Sequence, residues 1–191
     1  MSSALTVDTR DCCLVPAHGL MLSAEHSLSS NLQGRYSQRL SLHSGLHYSV
    51  MRGVSLSWRS HYTQTSSQYH LQPQELPHYS PGLYWRGLED MSTRPHHLTS
   101  ILCLTSNLPL ITSQSMIGKF VKFQTFITTS SDKPALNMQV KDCQAAVGLG
   151  FVGRFLDVAR FELNFAYPLK FVGSNLSSKP SLSFCFGTDF L

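Results

Sequence analysis

Arg160-Phe161-Glu162-Leu163-Asn164-Phe165-Ala166-Tyr167 is the stretch that decides the fold class. Phe161, Leu163, Phe165 and Tyr167 alternate with Arg160, Glu162 and Asn164, so one set is apolar or aromatic throughout and the other polar. A period of two sends the sets to opposite faces of a strand, whereas a helix would scatter them around its circumference. The end of the chain repeats the rhythm, with Leu182, Phe184, Phe186 and Phe190 against Ser183, Cys185, Gly187 and Asp189.

Working outward, Val121, Phe123 and Ile127 stand against Lys122 and Gln124, and Val147–Phe151 and Leu98–Thr105 are shorter runs of the same kind. Leu40, Leu42, Leu46, Tyr48 and Val50 alternate with Ser41, His43, Gly45, His47 and Ser49. Met51-Arg52-Gly53 then makes a turn, and Val54, Leu56 and Trp58 resume the alternation, which reads as a hairpin. Gly19–Leu28 is the weakest strand pattern. The sum is an all-β chain of roughly nine or ten antiparallel strands with no helix between them. Residues 63–95 lose the alternation to Gln, Ser, His, Pro and Tyr and read as one long loop.

Composition narrows the setting. The 191 residues suit a single domain, and charged residues make up only 14 % against about a quarter in soluble domains. The polarity comes instead from Ser, Thr, Gln, Asn and nine His. A net charge of +4 without a basic run gives nucleic acid little to hold. Cys12, Cys13, Cys103, Cys143 and Cys185 form no C-x-x-C pair and no zinc spacing. Met1–Arg10 lacks the basic and apolar regions of a secretory signal, and no run of about 18 apolar residues exists to form a membrane helix. A membrane crossing would have to use strands, and these approach the ~9–11 residues a tilted crossing needs. The aromatics Tyr167, Phe171, Phe184 and Phe190 cluster at strand ends, as in interfacial girdles. A soluble β-sandwich has the same alternation and stays open at this point.

Several motifs compete for a chemical reading. Gly148-x-Gly150-x-x-Gly153 matches the dinucleotide fingerprint, but the acidic residue expected about 20 positions on is missing from Pro168–Gly173. Glycines on the inner face of a barrel, leaving room for the internal loop, explain it better. His43 with His47, or His96 and His97 with Cys103, could be metal ligands, yet no carboxylate or further Cys stands at ligand spacing, and polar lining is the reading adopted. No nucleophile elbow, H-E-x-x-H or phosphate loop occurs, so neither an enzyme, a cofactor nor a metal is expected.

Three segments carry a resemblance to a known family. Asp8-Thr9-Arg10-Asp11, Leu14-Val15-Pro16 and Gly19-Leu20-Met21-Leu22 resemble the pattern that opens a mid-barrel hairpin in the outer-membrane-protein insertase superfamily. Trp85-Arg86-Gly87-Leu88 with Pro95 is similar to the motif at the tip of its lumen loop, with Leu88 in an aromatic's place and Arg94 in a glycine's. Gly148–Pro168 and the final Phe190-Leu191 resemble the last strands and the terminal sorting signal of the mitochondrial sorting and assembly branch. In that signal Cys185 replaces a glycine and Thr188 a hydrophobic residue.

The resemblance implies the carboxyl-terminal portion, residues 1–191, of a transmembrane β-barrel in the mitochondrial outer membrane. It implies insertion and assembly of β-barrel precursors, with the bilayer, those precursors and metaxin-like accessory subunits as partners. Arg86, Gly87 and Leu88 would form the lumen-loop motif, Glu162 or Asp189 would pair with Arg86, and Ser183, Gly187, Phe190 and Leu191 would belong to the terminal strand and signal. Because family barrels close with about sixteen strands, a truncated or degenerate form is expected. A passive pore or scaffold is the alternative within the membrane.

Overall fold

The computed structural model describes residues 1–12, 15–30, 36–67, 96–107, 121–131, 143–155, 159–169 and 180–187. Nine strands follow one another: β1 (Ser2–Asp8), β2 (Gly19–Ser30), β3 (Tyr36–Met51), β4 (Val54–Ser67), β5 (His96–Asn107), β6 (Val121–Ser131), β7 (Cys143–Phe155), β8 (Ala159–Leu169) and β9 (Ser181–Gly187). They form one sheet in the order β1 to β9, every neighbouring pair antiparallel. The expected all-β antiparallel architecture is present, and the sheet is not closed among the described residues. No helix occurs among them.

Local chemistry explains the tight turn. Between β3 and β4 only Arg52 and Gly53 remain outside the strands, and Gly53 takes φ +81°, a left-handed value that a Cβ opposes. Two differences from the sequence reading lie nearby. Residues 63–67 continue β4 instead of beginning the long loop, and the remainder of that loop, 68–95, lies outside the described residues. Ser2–Asp8, not read as a strand, forms β1 and pairs along its whole length with β2.

The sheet curls, because Cys12 in the β1–β2 connection reaches Arg154 on β7, with Arg154 Nη1 3.8 Å from the cysteine Sγ. Cys12 and Val15 pack on a small apolar cluster of Ile101, Cys103, Phe126 and Ala166. Met21, Ala146 and Val152 are also buried on that concave side, but most of it is polar: Ser41, Arg59, His61, Thr99, Gln124, Thr128, Glu162 and Asn164 are all buried there. The opposite face is the apolar one. Leu46, Trp58, Leu102, Ile127, Phe165 and Phe184 are exposed on it. The interior of this sheet is thus more polar than its exterior, the reverse of a water-soluble β protein.

Candidate functional site

The concave face carries a continuous chain of hydrogen bonds. Arg160 Nη2 donates to Glu162 Oε1, and Asn164 Nδ2 donates to Glu162 Oε2 at 3.1 Å. These three lie at alternate positions of β8, the polar set of the stretch quoted above, and therefore share a face. Gln124 Nε2 on β6 donates to Asn164 Oδ1 at 2.7 Å, and the Cys103 thiol on β5 donates to Gln124 Oε1 at 3.5 Å. Glu162, Asn164 and Gln124 are each 0 % exposed.

One position makes this chain possible. Gln124 pairs with Gly150, and Gly150 pairs with Asn164, so the amide bridge passes over a glycine in the strand between them. A Cβ at Gly150 would collide with Leu163 O and with Asn164 Oδ1. Gly148 serves the same purpose for the ring of Phe126. Gly148 and Gly150 lie on the inner face, where the room they leave is taken by Phe126 and Asn164; the internal loop for which that room was expected lies outside the described residues. Gly153 belongs to the other face by its alternation. All three lie inside β7, with no strand-to-helix turn for a pyrophosphate.

A second inward group comprises three imidazoles on adjacent strands. His43 and His61 are paired across β3 and β4 and stack with ring centroids 4.2 Å apart at 15°, and His97 on β5 meets His61 edge-on at 6.0 Å. His61 and His97 each have a ring nitrogen bonded to the threonine two residues on, Thr63 at 2.9 Å and Thr99 at 2.6 Å. Among the described residues no group of three or more His, Cys, Asp or Glu side chains is placed to hold a metal ion.

The β1–β2 connection supplies the third inward element. Asp8 and Arg10 form an ion pair at 2.6 Å. Asp11 accepts from the backbone N–H groups of Ala17 at 2.9 Å and His18 at 3.1 Å. Partial burial raises the Asp11 carboxyl, but the backbone donors, led by His18 and Ala17, outweigh it and hold its pKa below the ordinary value.

The residues expected at the site divide cleanly. Arg86, Gly87, Leu88, Asp189, Phe190 and Leu191 lie outside the described residues. Glu162 lies at the centre of the inward chain and is engaged there by Arg160. Ser183 pairs with Asn164 and Gly187 with Arg160 in the β8–β9 ladder. The sequence reading missed Gln124, Arg160 and Asn164 as a connected set, although the alternation had already placed Arg160 and Asn164 beside Glu162.

No family model matches the chain, and no curated protein matches it.

Proposed function

We propose that this chain is part of the wall of a transmembrane β-barrel of the outer-membrane-protein insertase kind, and that it takes part in inserting β-barrel precursors into the mitochondrial outer membrane. The distribution of charge carries the reading. Asp8, Glu25, Arg39, Arg59, Lys122, Arg154, Arg160 and Glu162 are the Asp, Glu, Lys and Arg residues of the nine strands, and all fall on the concave side by alternation and register. The outward side has none. A lipid-facing surface demands this, since an outward Arg or Lys at mid-bilayer costs about 2–4 kcal/mol.

The two sheet edges support the insertase part. Each step of an antiparallel meander reverses direction, so β1 and β9 of nine strands run the same way. Pairing them with each other would give a parallel seam. A strand arriving from elsewhere can instead lie antiparallel to either edge, which is β-augmentation and suits an incoming precursor. The terminal edge is β9, part of the segment whose end resembles the sorting signal.

The test is reconstitution of the chain in liposomes with a radiolabelled β-barrel precursor and single cysteines along β9. The reading expects a carbonate-resistant chain and site-specific crosslinks from β9 to the precursor's terminal strand. Conductance without precursor crosslinking would favour a passive pore. Partition into the aqueous phase on detergent extraction would refute the membrane reading altogether.

A further inference from the structure

The β1–β2 hairpin is built out beyond its strands. Past Asp8 and Gly19 the pairing continues, with Thr9 N donating to Leu20 O at 2.9 Å and Asp11 N to His18 O at 3.1 Å. Side chains reinforce this extension from within. Thr9 Oγ1 donates to Leu20 O and accepts from Leu20 N. The Asp8 carboxylate takes both the backbone N–H and the guanidinium of Arg10, and Asp11 takes the N–H groups of Ala17 and His18. Gly19 is the pivot, at φ +115°, where a Cβ would stand 2.5 Å from Thr9 O.

The far end of this extension meets strands remote from its own. Cys12 and Val15 pack on Ile101, Cys103, Phe126 and Ala166, and Arg154 Nη1 donates to Cys12 Sγ at 3.8 Å. Those partners belong to β5, β6, β8 and β7. Five ladders separate β2 from β7, about 24 Å across a flat sheet at ~4.8 Å per strand. The connection crosses that interval through the concave side instead of along the wall. Each ladder joins neighbours alone and tolerates a twist of roughly 10° to 35°, so a series of eight leaves the curl of an open sheet loosely set. A direct link from β1–β2 to β5–β8 sets it.

We infer that the β1–β2 connection is an internal strap: seated on β5–β8 it holds the sheet curled and fixes the gap between the open edges β1 and β9, and released it lets that gap widen to admit another strand. The strap stands on the contacts above, and its bearing on strand entry rests on the insertase reading. The seat suits release. It consists of the apolar packing of Cys12 and Val15 and a thiol contact. The Asp8–Arg10 pair and the bonds of Thr9 and Asp11 are internal to the hairpin, so the strap can lift away without dismantling itself.

Double electron–electron resonance on the full chain, in liposomes and in detergent, measures the gap. Nitroxides are carried by p-acetylphenylalanine in place of Leu5 on β1 and Leu182 on β9, both exposed. Val15→Asp, which sets a charge against the apolar seat, should lengthen the distance by about 5 Å or more, one strand spacing. Val15→Ala, which only shortens the contact, should broaden the distribution in the same direction, and it decides the matter if Val15→Asp does not fold. Gly19→Ala should act as Val15→Asp does. Gly53→Ala, the same change at positive φ in the β3–β4 turn, which is no part of the seat, should not. Crosslinks from β9 to a radiolabelled β-barrel precursor should rise with the distance. Unchanged distances in the Val15 variants, or equal lengthening in Gly53→Ala, would overturn the strap. Lengthening without a rise in crosslinks would overturn its control of strand entry. No crosslinks from any chain, wild type included, would overturn the insertase reading, while the strap stands or falls on the distances.

Discussion

Glu162→Ala is the most discriminating single change. The substitution removes the carboxylate that accepts from both Arg160 and Asn164, in a place where Glu162 is 0 % and Arg160 5 % exposed. Arg160 keeps its charge in a desolvated position, and breaking such a pair from one side costs about 3–5 kcal/mol. The loss of the Asn164 bond also loosens the amide that Gln124 reaches across Gly150. Replacing both partners with apolar side chains, Arg160→Met with Glu162→Leu, removes the buried charge and should recover a large part of that loss. Urea titration of the reconstituted chain, followed by Trp fluorescence and by the heat-modifiable band, measures both. A Glu162→Ala shift within about 0.5 kcal/mol, the range of ordinary surface changes, would refute the buried network. So would a double variant no more stable than the single one.

Gly150→Ala should destabilise by about 1–3 kcal/mol, because its methyl group meets the Leu163 carbonyl and the Asn164 amide at once; the same titration reads it. Phe165→Arg, on the outward face and 46 % exposed, should cost about 2–4 kcal/mol in lipid yet little in a detergent that wets the site. The β1–β2 connection should loosen in acid. Asp11 has a folded pKa below its unfolded value, so its contribution is present above the ordinary carboxylate value of 3.8 and is lost as pH falls through the depressed folded value. Protection of the Ala17 and His18 amides should fall over that interval in the wild type and be low at every pH in Asp11→Ala, which has no acceptor oxygen.

The strands legible in the sequence are those that cross between unlike surroundings. β3, β8 and β9 alternate because one face carries Leu, Tyr and Phe and the other Arg, Glu, His and Ser. β1 was invisible, since Leu5 and Val7 are its only outward apolar side chains of any bulk, too few to establish a period. The end of β4 failed for a different reason. Beyond Tyr62 both faces are polar, with Gln64 and Ser66 outward and Thr63 and Thr65 inward, so the strand continues by backbone pairing to β3 without any hydrophobic signal. Of the inward network, the alternation put Arg160, Glu162 and Asn164 on one face. Nothing in their spacing connected them to Gln124, because that bond depends on the register of two intervening ladders meeting at Gly150.

Register also says how the strands would sit in a membrane. Starting at Leu22, the middle of the uninterrupted outward apolar run Leu20, Leu22 and Ala24 that His26 ends on β2, the hydrogen-bonded row passes through Ser44, Ser60, Ser100, Thr129 and Ala145 to Leu169 on β8. The middle of the outward set on β9 is Phe184, which pairs with Leu163, six residues back along β8 from Leu169. The apolar band therefore climbs about 20 Å along the strands while crossing about 34 Å of sheet, at spacings of ~3.3 Å per residue and ~4.8 Å per strand. That corresponds to strands inclined by about 30° to the normal of the band, close to the 35–45° at which barrel strands tilt. A sandwich sheet, covered by a second layer instead of a planar slab, has no reason to displace its apolar residues steadily in one direction. The drift and the confinement of charge to the concave side are independent properties of the sequence, and both are what the proposed curved wall, with hydrocarbon outside and a polar lumen within, would require.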